Sequence, residues 1–241
     1  MKTRLDQIIL DKGLAQSIDL ARAYIMEGRV KINGVVADKQ GYYVSKSDQI
    51  TITEEGRYVS RGGYKLEGAL HNFGIDVNGL IAMDIGASTG GFTDCLLQHG
   101  AQKVYAIDVG YGLTDYKLRK DARVILMERV NFRHFYTSVL ALQIDIATID
   151  VSFISLELIL PNVSQCVKEN GTVLALIKPQ FELDKKDVDK GGVIKSPEKH
   201  KKAATKISDL SLKLGFRIID IAPAIIKGTG GNQEFFIHLK K

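Results

Sequence analysis

Asp84-Ile85-Gly86-Ala87-Ser88-Thr89-Gly90-Gly91-Phe92 closes an apolar run that starts at Ile81. A short apolar run that stops at glycines reads as a buried strand. Gly86, Gly90 and Gly91 permit a tight strand-to-helix turn and let a ligand come close to the backbone, as happens at the carboxyl ends of strands in open sheets. The next apolar run, 104–107, ends in Asp108, where a carboxylate can accept both hydroxyls of an adenosine ribose.

Outward from this loop the pattern repeats. Apolar runs at 123–127, 144–149, 172–177 and 216–221 alternate with helical stretches, and 235–239 supplies a last strand. Strands alternating with helices predict an α/β fold with a parallel, doubly wound sheet covered on both faces. The spacing Asp-x-Gly-x-x-x-Gly, with a second acid at Asp108, resembles the S-adenosylmethionine loop of class I (Rossmann-like) methyltransferases more than the G-x-G-x-x-G dinucleotide loop. That resemblance nominates Asp84, Gly86, Ser88, Gly90, Gly91 and Asp108 as cofactor-binding residues. A competing reading takes Gly86-Ala87-Ser88-Thr89-Gly90 as a hydrolase nucleophile elbow with His238 as a late histidine. Such an elbow normally follows several strands of its own sheet, and only a small module precedes Ile81. No G-x-x-x-x-G-K-[ST] motif is present.

That small module occupies 1–56. Leu5, Ile8 and Ile9 space like a short helix stopped by Gly13, and Ser17 is placed to cap a second helix over 18–27. Val30-Lys31-Ile32, Asn33-Gly34 and Val35-Val36 predict a hairpin with a type I′ turn, followed by a strand at 49–53. Residues 57–63, Arg-Tyr-Val-Ser-Arg-Gly-Gly, read as a linker; a helix over 64–73 then opens a second domain, 64–241.

The chain has 241 residues, two cysteines and a net charge of +5. Its length allows a core without disulfides, and two cysteines make neither a disulfide framework nor a zinc cluster, so no metal is expected. No run approaches the roughly 18 apolar residues of a spanning helix. The N-terminal residues lack the apolar core of an export signal, and a cytoplasmic location is expected. Residues 178–217 hold eleven Lys/Arg against six Asp/Glu, either a solvated helix face or a surface for an anionic partner.

The fourth strand of the second domain ends in Asp150-Val151-Ser152-Phe153. It lacks the two prolines usual where an amine is methylated, and neither Cys95 nor Cys166 ends a strand, so a hydroxyl acceptor is the better candidate. The fifth strand ends in Leu176-Ile177-Lys178-Pro179. A lysine closing so apolar a run either pairs with Asp150 at the sheet edge or is functional, with desolvation lowering its pKa toward that of a base.

Arg4-Leu5-Asp6, Gly13, Ser17, Gly28-Arg29-Val30, Asn33-Gly34 and Asp48-Gln49-Ile50 resemble the α-L RNA-binding module, with Ile18 where that module often has arginine. The likeness implies RNA contacts from Arg4, Arg22, Arg29, Lys31 and Lys39. Tyr58 to Leu66, Asp84 to Thr93, Asp108-Val109-Gly110-Tyr111-Gly112, Asp150 to Leu156, Lys178 to Glu182, Gly191-Gly192-Val193 and Gly231 to Phe236 are together similar to the TlyA family, RNA 2′-O-methyltransferases with an FtsJ-like catalytic domain. Tyr58 replaces the tryptophan usual in that family's linker. The resemblance implies a catalytic tetrad of Lys65, Asp150, Lys178 and Glu234, with Phe153 packing on the cofactor, S-adenosylmethionine. It further implies methylation of a cytidine ribose in ribosomal RNA, within ribosomal subunits. The alternatives are a membrane-acting haemolysin, a name often carried by TlyA-like proteins, and an RNA-binding protein without catalysis.

Overall fold

The computed structural model describes residues 2–37, 41–45, 47–53, 56–136, 138, 140, 143–189 and 191–241. Lys39 therefore lies outside the described residues. The chain begins with β1 (Thr3–Arg4), α1 (Leu5–Asp11), α2 (Ile18–Met26), β2 (Val30–Ile32), β3 (Val35–Val36), β4 (Tyr43–Val44) and β5 (Ile50–Ile52). Ser17 Oγ accepts from the Leu20 amide at 3.1 Å and caps α2 as its position predicts. Asn33 and Gly34 both take positive φ, 50° and 83°, which the type I′ turn between β2 and β3 requires. Leu5, Ile9, Leu20, Ala21, Ile25, Val30 and Val44 pack into a core of their own, so this module is folded around its own apolar face. The short β1–β4 pairing was not legible in the sequence.

The linker is buried and packed. Tyr58 and Val59 are almost fully enclosed, and α3 (Arg61–Phe73) starts three residues before the predicted position. Gly63 lies so near Tyr58 that a Cβ there would come within 2.3 Å of the ring. The Arg-Gly-Gly stretch thus serves close packing, not flexibility.

The second domain continues with β6 (Ile81–Ile85), α4 (Gly91–Gln98), β7 (Lys103–Ile107), α5 (Tyr116–Lys120), β8 (Val124–Met127), β9 (Ile144–Ile149), α6 (Leu160–Cys166), β10 (Val167–Ile177), α7 (Pro179–Glu182), α8 (Pro197–Lys213), β11 (Arg217–Pro223) and β12 (Phe235–Lys240). The sheet order is β11-β12-β10-β9-β6-β7-β8. Among the described strands of this sheet, β12 runs antiparallel to β10 and β11, and the other pairings are parallel. One apolar core packs α6 and α8 on one face, the other α3 and α4 on the opposite face. This is the expected α/β doubly wound sheet with a small N-terminal domain. Chain order reverses at β6, flanked by β7 and β9, and a crevice opens there beyond the carboxyl ends of the strands.

Part of the charge of the basic stretch 178–217 is paired where it lies. Lys199, Lys202 and Lys206 on α8 pair with Asp189, Asp187 and Glu157 at 2.7, 2.5 and 3.1 Å. Its composition overstated the free charge on that face. Among the described residues, no helix is long and apolar enough to cross a membrane, and no cluster of potential metal ligands occurs.

Candidate active site

The crevice is a cavity of about 680 Å³, the size of a small-molecule site. Gly86, Ser88 and Gly91 from the loop after β6, Asp108 after β7, Asp150 and Phe153 after β9, Lys178 after β10, and Lys65 and Glu234 from α3 and the start of β12 all line it. The loop residues converge because β6, β7, β9 and β10 point the same way, and Glu234 joins them because it precedes the antiparallel β12, whose start lies at that same end of the sheet.

At its floor sit two ion pairs. Lys178 Nζ is 2.6 Å from Asp150 Oδ1 and donates to Ser152 Oγ at 2.8 Å. Lys65 Nζ donates to Glu234 Oε2 at 2.7 Å. Burial alone would raise Asp150, but Lys178 and Lys65 outweigh it and hold the carboxylate below its ordinary value. Burial alone would lower Lys65, but Asp150 and Glu234 outweigh it and raise the ammonium above its ordinary value. The four groups form one charge-balanced unit of two ammoniums and two carboxylates.

A profile described as FtsJ-like methyltransferase matches residues 58–241, and an S4 domain profile matches residues 3–50. A relative from Mycobacterium tuberculosis named "16S/23S rRNA (cytidine-2'-O)-methyltransferase TlyA" is 37% identical, across 99% of this chain and 90% of its own length. The chain belongs to the TlyA family of FtsJ-like methyltransferases. "Hemolysin A" of Brachyspira hyodysenteriae is 39% identical across 98% of both chains. A solved structure of a hemolysin candidate from Streptococcus thermophilus superimposes with a TM-score of 0.78 at 40% identity, covering 100% of this chain and 88% of its own.

In this TlyA-family chain, hydrogen bonds tie the four charged groups to neighbouring segments. Lys178 caps α7, whose first residue, Pro179, has φ preset for a helix start. Glu182 on the same turn is buried and accepts from the Leu156 amide at 2.9 Å and from Ser155 Oγ, which ties the Lys178 turn to the Asp150 loop. Asn232 donates to the Gly192 carbonyl at 2.9 Å and accepts from the Ile194 amide at 2.8 Å, anchoring the approach to Glu234. The Gly191-Gly192-Val193 and Gly231-Asn232 blocks, unexplained singly, are two sides of this contact.

The upper cavity is walled by the loops after β6 and β7. Asp108 accepts from the Ser88 amide at 2.8 Å through Oδ2 and from the Gly110 amide at 2.7 Å through Oδ1, which fixes its carboxylate at the rim. Gly86 has φ +83°, and a Cβ there would stand 2.8 Å from the Asp150 carbonyl oxygen, so only glycine leaves this cradle open. Asp84 and Gly90 lie beneath the loop, outside the cavity wall. Phe153, at φ +63° and 70% exposed, sits at the mouth with its ring 5.1 Å from that of Phe181. The serine-hydrolase alternative fails on contacts. Ser88 Oγ donates to the carboxylate of Glu27, while His238 lies against Phe73, with ring centroids 5.4 Å apart.

Of the nominated RNA-binding residues, Arg4 and Arg22 flank the buried carboxylate of Asp6 at 2.7 and 3.0 Å. The hydrogen bond from Arg4 brings Asp6 down to about 2. Lys31 is half-buried on β2. Arg29 turns inward, stacks over Tyr24 and donates to the Val59 carbonyl at 3.1 Å, joining the module to the linker. Ser152 and Glu27 went unread in the sequence; the first has a hint in its place two residues after Asp150, the second none.

Asp84 gives a stability prediction. Burial pushes its carboxyl up to about 7, despite a 2.7 Å hydrogen bond from Thr93 Oγ1. The folded protein then holds a proton that the unfolded chain, with an ordinary carboxyl, releases near pH 4. This contribution is complete below about pH 4 and is lost as pH rises toward 7. Chemical denaturation is expected to show wild type losing stability from pH 5 to 8, and Asp84→Asn losing less by on the order of 3 kcal/mol. Parallel curves for the two proteins would contradict the assignment.

Proposed function

We propose that this protein transfers a methyl group from S-adenosylmethionine to the ribose 2′-hydroxyl of a cytidine in ribosomal RNA, within a ribosomal subunit in the cytoplasm. The observation that carries the reading is the Lys178–Asp150 pair, backed by Lys65–Glu234, on the floor of a cavity with the Asp108 carboxylate at its rim. The S4 match and the printed activity of the M. tuberculosis relative support RNA as the substrate.

Asp108 would hold the cofactor's ribose, and Gly86, Ser88 and Gly91 its backbone-facing side; Asp84 and Gly90 would shape the loop from below. When bound, the cofactor supplies a methyl group on a cationic sulfonium. The protein's own part is alignment and one proton. Lys178 Nζ, once its ammonium has released a proton to solvent, takes the 2′-hydroxyl proton, and Asp150 at 2.6 Å stabilises the ammonium that is restored. Ser152 points the lysine, and Lys65 with Glu234 closes the charge balance and meets the ribose. Phe153 at the mouth offers a ring to the incoming nucleoside or the cofactor.

Arg4, Arg22 and Lys31 are the basic side chains that the N-terminal module would offer to RNA, while Arg29 is held against Tyr24 and the linker. If the RNA footprint spans both domains, the association constant falls roughly thirtyfold or more between 50 and 200 mM salt. A nearly flat dependence in a filter-binding titration would contradict a phosphate-led interface. The function itself is tested by incubating the protein with labelled S-adenosylmethionine and each isolated ribosomal subunit beside naked ribosomal RNA. Label in the RNA of a subunit is expected. No label in any of the three would overturn the proposal.

A further inference from the structure

The N-terminal module also reaches the cofactor loop. Glu27, the residue that ends α2, lines the cavity together with Asp19, Ala23 and Met26. Its Oε1 accepts from Thr89 Oγ1 at 2.5 Å and from Ser88 Oγ at 3.3 Å. Its other oxygen, Oε2, is shut off from solvent, and among the described residues no group donates to it. Burial pushes the carboxyl up to about 7 despite the bond from Thr89. A costly acid is thus kept at a domain junction.

What it holds is strained. Ser88 has φ +51°, a left-handed conformation that side chains other than glycine and asparagine rarely adopt. Such a residue stays there only when its surroundings fix it, and here two carboxylates do so. The Ser88 amide goes to Asp108 and the Ser88 and Thr89 hydroxyls go to Glu27. The docking of Glu27 is itself secured, since Arg61 on α3 donates to the Glu27 carbonyl and Arg29 donates to Val59 in the linker.

We propose that Glu27 is a positioning residue for cofactor binding: its acceptor oxygen fixes the Ser88-Thr89 loop so that Asp108 is presented to the ribose, and the N-terminal module thereby completes the cofactor site of the catalytic domain. The inference rests on the assignment of the cavity to S-adenosylmethionine. It concerns a contact between domains and is separate from any RNA contact of the same module.

The test is calorimetric titration of the full-length protein with S-adenosylhomocysteine. Glu27→Ala is expected to bind about tenfold more weakly, through loss of the hydrogen bonds from Thr89 and Ser88. Glu27→Gln, which keeps the acceptor oxygen, stays within about threefold of wild type. Thr89→Val reproduces most of the loss, and the double variant Glu27→Ala/Thr89→Val is no weaker than Glu27→Ala, because that substitution already removes the bond from Thr89. In turnover, Glu27→Ala raises KM for S-adenosylmethionine while kcat at saturation stays within about twofold. Unchanged affinity in Glu27→Ala, an equal loss in Glu27→Gln, or a kcat that falls in proportion would each overturn the proposal. Failure of the wild-type protein to bind would instead remove the cofactor assignment and this inference with it.

Discussion

Lys178→Ala is expected to lower methyl transfer about a thousandfold while leaving affinity for S-adenosylhomocysteine within about threefold of wild type. A positioned general base contributes roughly 10²–10⁴ in rate, and Lys178 stands on the cavity floor held from two sides, by Asp150 at 2.6 Å and Ser152 at 2.8 Å. Removing it leaves the loop after β6 and the Asp108 carboxylate untouched, so binding and chemistry separate. Glu234→Gln should cost less, because Glu234 acts through its 2.7 Å bond to Lys65 and not on the reacting hydroxyl. Equal losses in the two variants, measured by single-turnover transfer, would contradict this ordering.

Asp150→Asn has the second largest expected effect, about a hundredfold or more on rate. Asp150 is the carboxylate shared electrostatically by Lys178 and Lys65. Its amide replacement leaves two ammoniums facing Glu234 alone, and breaking a buried pair leaves an uncompensated charge that ordinarily costs about 3–5 kcal/mol. The partial exposure of Asp150, 20% for its side chain, reduces that cost in stability. The rate still falls, because the amide cannot stabilise the ammonium formed when Lys178 takes a proton. Activity within threefold of wild type would remove Asp150 from the proton path.

The residues that bring the site together were legible where local chemistry is demanding. Gly86 and Gly90 take φ of 83° and 99°, which the sequence signals by glycine, and Asp108, Asp150 and Lys178 each end an apolar run that could only be a buried strand. The parallel sheet follows from the alternation of those runs. Positions set by long-range contact were not legible. Glu27 meets Ser88 and Thr89 across 61 and 62 residues of chain, so no local pattern announces it. The early start of α3 was hidden because Arg61-Gly62-Gly63 has a linker's composition, whereas its glycines make room for Tyr58 and for Ser60 with Phe92. Likewise Lys199, Lys202 and Lys206 of α8 look unpaired in a linear count, until Asp189, Asp187 and Glu157 fold back beside them.

The central claim is that the acceptor is a ribose hydroxyl whose proton passes to Lys178. Its most direct test is mass spectrometry of nucleosides from ribosomal subunits treated with the wild-type protein and with Lys178→Ala, both supplied with S-adenosylmethionine. A methylated cytidine that carries its added mass on the sugar is expected in the wild-type sample and none in the variant. A methyl group found on a base, or an equal yield from Lys178→Ala, would contradict it.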